Sequence, residues 1–372
     1  MMSYRRFMLK RYRKHKEKKA KKMVKKKRFW IGIIVTLVCL YFVFRGLDIA
    51  KIYEILKKIN IWMLLATVAV YLFGYYLRAI RWHHLLKHIK NFRPAELFPY
   101  LVMGFMANNI LPARAGEFIR AYLVGAKKGI SKSSAFASIM IERVFDGLVM
   151  IAFFIIGYGA FHFVERTVTD PISVELFGRV FGTKDAVTIF AVIGGALFIG
   201  IFTVSVLLIW KKEPTVNILH KIFSKFPGKI GATFNNLIDT FIEGLGVLRS
   251  KSSVFMVFFY SAIAWTIEAG TYYALAYAMG IHINFLLVCL IMAVANFAIM
   301  APSTSGGVGP FEFFGVGIML LFSYPKEEAT AYIVIIHAMI LLPIILLGLI
   351  FMMTEGLDLK KISKAKEEDA NA

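Results

Sequence analysis

The sequence predicts an all-α polytopic membrane protein with about six full spans and two re-entrant broken helices in an inverted repeat. Three observations carry this. Apolar residues make up 58% of the 372-residue chain at a mean hydropathy of +0.66. Several apolar runs reach the roughly 20 residues that a helix needs to cross about 30 Å of hydrocarbon. Two distant stretches also look like rewrites of one another. Asn108-Asn109-Ile110-Leu111-Pro112-Ala113-Arg114-Ala115-Gly116-Glu117-Phe118 is matched by Asn296 through Phe313, which contains Pro302, Gly306 and the pair Glu312-Phe313. Each has an Asn, a Pro, a Gly four residues after the Pro, and then Glu-Phe. Finally, Lys and Arg fall in loops that a single sidedness assignment satisfies.

The net charge of +22 is concentrated at the ends and in certain loops. Residues 1–28 are nearly all basic. Directly before a span, such a run reads as a cytoplasmic segment that meets anionic lipid rather than as a nucleic-acid arm. No small-residue cleavage site follows Tyr41-Phe42-Val43-Phe44-Arg45, so the region is not read as a signal peptide. Cys39 and Cys289 lie within apolar runs and give neither a disulfide framework nor a zinc spacing.

The expected spans cover residues 29–44, 61–82, 134–164, 186–210, 254–279 and 328–353. Amphipathic pieces are expected over residues 49–59, 216–223 and 234–248. The broken elements cover residues 97–125 and 285–322. Pro removes a helix hydrogen bond and Gly loosens the backbone. Inside a bilayer, such backbone survives only where protein buries it or where it lines a wet cavity. The domain reading is a basic segment 1–28, a transmembrane domain 29–353 and a charged cytoplasmic tail 354–372.

Orientation follows the basic loops. Residues 1–28, the end of the second span (Arg78, Arg81, Lys87, Lys90, Arg93), Lys127, Lys128 and Lys132, the loop 211–252 and the tail all fall inside. This holds only if both broken elements enter and leave on one face. Both termini are then cytoplasmic, in a multi-pass plasma-membrane protein. The first hairpin dips in from the cytoplasm and the second from the opposite face. Residues from Ser134 and from Glu328 align downstream, which sets His337 against Arg143.

Glu142, Arg143 and Asp146 form the sharpest polar constellation, with Glu142 about 12 Å into its span. Charges at that depth are costly and by default functional. Arg143 and Asp146 sit three apart and are expected to pair along the helix, leaving Glu142 without a local partner. Two roles stand side by side for this group: an ion-pair lock to the first hairpin through Arg114, Glu117 or Arg120, and direct handling of substrate or protons. Arg114 and Arg120 flank Glu117, and a guanidinium fork suits phosphate. Alternatively, both arginines snorkel to water. Asn108 and Asn109 are read mainly as caps of the broken helix. Ser303, Ser305, Gly306, Gly307 and Gly309 form a small-residue turn whose N–H groups are able to face an anion, though the plainer reading is a turn between two half-helices. Glu312 opens the return half-helix, where a carboxylate suits the dipole. Glu268 and His337 are read as lone ionisable groups. Arg78, Arg81 and Trp82 are read as interfacial lipid contacts.

Together these residues resemble the membrane region of lysylphosphatidylglycerol synthases and its stand-alone, flippase-like relatives. The resemblance rests on Arg78-x-x-Arg81-Trp82, on Asn109-x-x-Pro112-x-Arg114-x-Gly116-Glu117-x-x-Arg120, on Glu142-Arg143-x-x-Asp146, and on Pro302 with Gly306, Gly307, Gly309 and Glu312. It covers about residues 29–353 and implies movement of an anionic or aminoacylated phospholipid, or of a polyprenyl-phosphate sugar, between leaflets. The tail after Met353 is too short for a soluble transferase domain, so lipid aminoacylation by this chain is not expected. A separate lipid-modifying transferase is a candidate partner, beside membrane lipids and their anionic head groups. No catalytic residue, metal site or cofactor is expected, and no nucleic acid. An intramembrane enzyme and a non-transporting scaffold stand as the competing readings.

Overall fold

The computed structural model describes residues 30–111, 115–164, 173–176, 179–182, 203, 212–224, 251–299 and 305–356. The basic segment 1–28, the expected span 186–210 apart from residue 203, the amphipathic piece 234–248, and Pro112, Arg114 and Ser303 lie outside these residues.

The described fold is predominantly helical. Helix α1 covers Trp30–Phe44 and bends by 84° into the amphipathic α2, Ile49–Lys57. The bend follows Gly46, held at a φ of 72° that favours glycine. Asp48 then caps α2 by accepting from the N–H groups of Ala50 and Lys51. Helix α3 runs over Ile61–Leu86, with the Asn60 side chain accepting from the N–H of Met63. Helix α4, Pro94–Ile110, and α5, Gly116–Lys128, form the first hairpin. Helix α6 covers Lys132–Val164, and α7 covers Lys212–Phe223. Helix α8 is Lys251–Ala278. Helix α9, Phe285–Ala298, a 3-10 turn at Ser305–Gly307, and α10, Pro310–Leu321, form the second hairpin. Helix α11 closes the described chain over Lys326–Thr354. A short antiparallel ribbon, Ser173–Leu176 with Arg179–Gly182, departs from the all-α expectation; its strands contain Val and Phe, which fit extended backbone.

Among the described residues, helices α3, α8 and α11 are long and apolar enough to cross a membrane, and the bent pair α1–α2 makes a fourth if it is counted as one span. The hairpin arms are shorter. At 1.5 Å per residue, α9 reaches about 21 Å and α10 about 18 Å, against a hydrocarbon core of about 30 Å. Helix α9 is nonetheless buried on almost every side, from Leu287 through Ala295. A helix apolar all round belongs inside a bundle.

Each hairpin has its own apolar cluster. Tyr71, Leu85, Leu101, Val124 and Ile139 pack around the first hairpin. Tyr272, Ile291, Phe311, Met319 and Ile333 pack around the second. Helix α11 serves both, through Ile344 in one cluster and Ile336 in the other. Its Pro343 has no N–H to donate, which loosens the preceding turn. The Tyr71 hydroxyl there donates to the carbonyl of Ile340 at 3.2 Å.

Close helix contact in the first hairpin depends on glycine. A Cβ on Gly116 would lie 1.9 Å from the Gly104 carbonyl oxygen, so the two backbones touch. The arms run antiparallel: Lys128 pairs with Glu96 at the mouth, Arg120 packs on Gly104, and Asn108 accepts from the Gly116 N–H at 2.7 Å near the tip. The expected capping role of Asn108 is therefore seen directly.

Candidate functional site

The two hairpins open at opposite ends of the bundle. At one end, the Tyr100 hydroxyl and the Lys127 ammonium both donate to Glu355 at the close of α11, while Lys90 at the close of α3 donates to the Lys128 carbonyl. At the other end, the Tyr324 hydroxyl donates to the His282 carbonyl across the mouth of the second hairpin. Lys326 there reaches the Arg45 carbonyl, and the Asn60 N–H reaches the Ala278 carbonyl. Between these ends the tips meet. A Cβ on Gly306 would lie 3.3 Å from the Asn109 carbonyl oxygen.

A lattice of arginines and carboxylates lies beside the first hairpin, about 15 Å along α6 from its start. Glu142 is fully buried at its centre. Arg120 on α5 grips both its oxygens, at 2.9 and 3.0 Å. Arg81 on α3 reaches the same carboxylate at 3.0 Å, and Arg143 donates to it from the next position on α6. Asp146 one turn on accepts from Arg81 and from the Trp265 indole N–H of α8, and lies 3.3 Å from Arg143. Arg78 on α3 donates to Glu268 on α8 at 2.5 Å. Aromatic faces complete the surroundings: the Arg120 guanidinium lies 3.6 Å over the Trp82 ring and Arg78 lies 5.2 Å over Trp265. Four elements, α3, α5, α6 and α8, are thereby tied to one polar centre.

The structure corrects several expectations. Glu142 does not lack a local partner; it faces three guanidiniums. Arg78, Arg81 and Trp82 do not reach outward to lipid: they are 3%, 0% and 0% exposed, and their side chains build the lattice or brace it. They sit on the face of α3 that packs against α6 and α8, so an outward snorkel would break the ion pairs. Arg120 likewise points inward rather than to water. Glu268 and His337 are not lone groups. The pairing of Arg143 with Asp146 is present as expected. Glu117 is buried on α5 and lies within electrostatic reach of Arg143. Sequence reasoning missed that Arg78 and Glu268 belong together. The signal was available: a carboxylate in one apolar span and two arginines in another each demand a partner.

Arg81, Arg120 and Arg143 are set against Glu142 and Asp146, with the Glu117 carboxylate within electrostatic reach of Arg143, so three guanidiniums face three carboxylates. The Nε atoms of all three arginines have no hydrogen-bond partner among the described residues. Arg143 is the accessible one, with 29% of its side chain exposed and its guanidinium 5.4 Å over the Phe105 ring of α4.

The second hairpin's tip is held differently. Gly306, Gly307 and Gly309 have φ values of 74°, 76° and 99°, which explains three glycines in four positions. The Glu312 carboxylate accepts from the Gly309 N–H at 2.7 Å and faces His337 Nδ1 at 2.5 Å, while Thr36 on α1 donates to the Val308 carbonyl. Ser305 and Gly307 belong to the turn itself. Among the described residues, no group of three His, Cys, Asp or Glu side chains is placed to hold a metal ion. A cavity of about 280 Å³ lies elsewhere, at the end of α8, lined by Tyr273, Tyr277, Ile281, His282 and Ile283.

The family described as the lysylphosphatidylglycerol synthase TM region matches residues 29–348. A glycosyltransferase of Haloferax volcanii, AglD, is 24% identical over 82% of this chain, and the chain spans about half of that protein, 51% of its length. A UPF0104 membrane protein of Methanothermobacter thermautotrophicus is 26% identical over 71% of this chain and 75% of its own. A further UPF0104 membrane protein, from Pyrococcus horikoshii, is 21% identical over 82% of this chain and 90% of its own. No solved structure matches the chain.

Proposed function

The chain belongs to the lysylphosphatidylglycerol synthase transmembrane-region family of membrane proteins, and from that premise we propose that it moves an anionic or aminoacylated phospholipid, or a polyprenyl-phosphate sugar, between leaflets. The observation that carries this reading is the cluster of three guanidiniums beside the first hairpin, of which Arg143 is part-exposed. Guanidiniums are suited to phosphate oxygens, and Arg143 is the one of the three whose side chain is part-exposed, where an entering head group would meet it. The hairpins are read as re-entrant from opposite faces, as two halves of an inverted repeat. Discontinuous helices of this kind place transport sites near the midplane. Rocking of one half against the other would then expose the polar centre to each leaflet in turn. The plasma membrane, with both termini cytoplasmic, is the location this reading assigns, and Arg114, Pro112 and Ser303 complete the proposed path.

Fluorescent-lipid translocation in proteoliposomes tests this. Arg143→Gln removes one charged hydrogen-bond donor and is expected to slow transport by about tenfold to a hundredfold. Equal rates for wild type and variant would count against the site.

A second reading follows from the similarity to a protein named a glycosyltransferase. In it, the chain is the membrane partner of a separate lipid-modifying transferase, or itself takes part in that chemistry. Tight co-purification of a transferase, or head-group turnover by the purified chain without lipid translocation, would favour it.

A further inference from the structure

His337 lies buried on α11 with an oxygen at each ring nitrogen. Nδ1 is 2.5 Å from Glu312 Oε1, and Nε2 is 2.9 Å from the Gly306 carbonyl oxygen. A neutral imidazole offers one N–H and one lone pair. Two oxygen neighbours therefore require one further proton. It resides either on the ring, as imidazolium against carboxylate, or on Glu312, as a carboxylic acid donating to Nδ1. Without that proton, a nitrogen lone pair faces an oxygen at one contact, and that contact must open. The Gly306 carbonyl belongs to the turn that meets Asn109. One proton thus decides whether the second tip is fastened to α11.

We propose that Glu312 and His337 bind the proton that couples transport, latching the second hairpin's tip when loaded and releasing it when empty. This rests on the transport reading above and names its coupling ion. The other ion-paired carboxylates in the interior are poorer carriers. Glu142 faces three guanidiniums, Asp146 two and Glu268 one, and guanidiniums keep their protons in proteins. Among the described buried ion pairs, only Glu312 faces an imidazole, which is able to hold one proton or two, rather than a guanidinium.

The groups around the ring leave this proton without a competing charge. From α10 come Glu312 and the Phe311 ring, stacked on the imidazole at 4.2 Å. Helix α1 contributes Cys39, within electrostatic reach of Glu312. Helix α3 contributes the Tyr71 hydroxyl, bonded to the Ile340 carbonyl. Helix α9 carries no charged residue, and α4 carries only Glu96, at the distant mouth. Glu268 on α8 is turned to Arg78. The charges of α11 itself, Lys326, Glu327 and Glu328, lie in its first turn.

The test uses the full chain with Cys39→Ser and Cys289→Ser, and a reporter thiol introduced by Ser305→Cys. Maleimide labelling is followed from about pH 5 to 8, where a histidine's charge is free to change, and is normalised to an exposed thiol from Lys58→Cys. The expected result is slow labelling at acid pH, rising at least about threefold as the latch empties; over the same interval one ¹⁵N-histidine signal, missing from His337→Leu, changes, either from the imidazolium to the neutral pattern or, with the proton on Glu312, by loss of the hydrogen bond donated to Nδ1. Glu312→Gln supplies an amide N–H to Nδ1 and still offers an oxygen to Gly309, so its labelling should be slow and flat with pH. His337→Leu should label fast and flat. A pH response shared equally by wild type and both variants overturns the latch, as does a His337 ¹⁵N signal that stays unchanged throughout. Lipid translocation by a protein whose tip ignores pH overturns the proton site and leaves transport standing. A responsive tip in a protein that moves no lipid upholds the proton site but overturns both the coupling and the transport reading.

Discussion

The carbonyl oxygen of Asn109 and the α-carbon of Gly306 meet so closely that a methyl group on Gly306 would sit 3.3 Å from that oxygen. These residues stand at the tips of two hairpins whose mouths lie at opposite ends of the bundle. The contact fixes the depth to which each hairpin reaches. It also sets the arginine lattice on one side of the junction and the Glu312–His337 pair on the other.

The two mouths should be reached from opposite sides of a membrane. With the native cysteines replaced, Lys128→Cys and His282→Cys report on the first and second mouth. A membrane-impermeant maleimide added to intact cells is expected to label only one of them, and opened membranes should allow both. Labelling of both from one side would mean that the hairpins are not inverted.

Gly116 has no room for a side chain. Gly116→Ala would drive its methyl into the Gly104 carbonyl oxygen at 1.9 Å. The hairpin must then part, and folded, monodisperse protein should be lost in fluorescence-detected size-exclusion chromatography. Gly159→Ala is the control. Nothing lies within 4 Å of its added methyl, and alanine in a helix gains up to about 1 kcal/mol over glycine.

The Arg78–Glu268 pair should show the asymmetry of buried ion pairs. Glu268→Met alone leaves a buried guanidinium and is expected to cost about 3–5 kcal/mol, read as a drop in thermal stability. Arg78→Met combined with Glu268→Met should recover most of that loss, because two apolar chains replace two charges. A double variant no better than the single would show that the pair is not an isolated unit.

Trp82 braces Arg120 through its ring face and donates its indole N–H to Ser138 at 3.0 Å. Trp82→Phe keeps a ring under the guanidinium and loses one hydrogen bond, at about 1 kcal/mol. Trp82→Leu also loses the cation–π contact, a further 0.5–2 kcal/mol, roughly. Thermal melts should therefore rank wild type, then Phe, then Leu. Equal melts for the two variants would remove the ring's role.

Much of the helical layout was legible in the chain. The second span was expected over residues 61–82 and forms over Ile61–Leu86. Helices end at Ile110 and Ala298 and resume at Gly116 and Pro310, on either side of the expected breaks, and the Asn108 side chain accepts from the first N–H of α5. Hydrophobic length and helix-breaking chemistry are local properties, so a single sequence carries them. The polar centre was only half legible. Glu142, Arg143 and Asp146 stood out because charge within an apolar run is costly. Arg78 and Arg81 did not, because they sit near the basic end of their helix, where snorkelling is the ordinary expectation. The short ribbon at residues 173–182 gave no periodic signal long enough to register.

By itself the sequence determined which segments are apolar, where helices must break, and which buried charges need partners. The tertiary structure decided who the partners are. Arg78 and Glu268 are distant in the chain, as are Gly306 and His337, and only the rotation and depth at which α3 meets α8, or the second hairpin meets α11, brings their atoms together. Those settings come from side-chain packing and from glycine contacts between helices, which no single segment encodes.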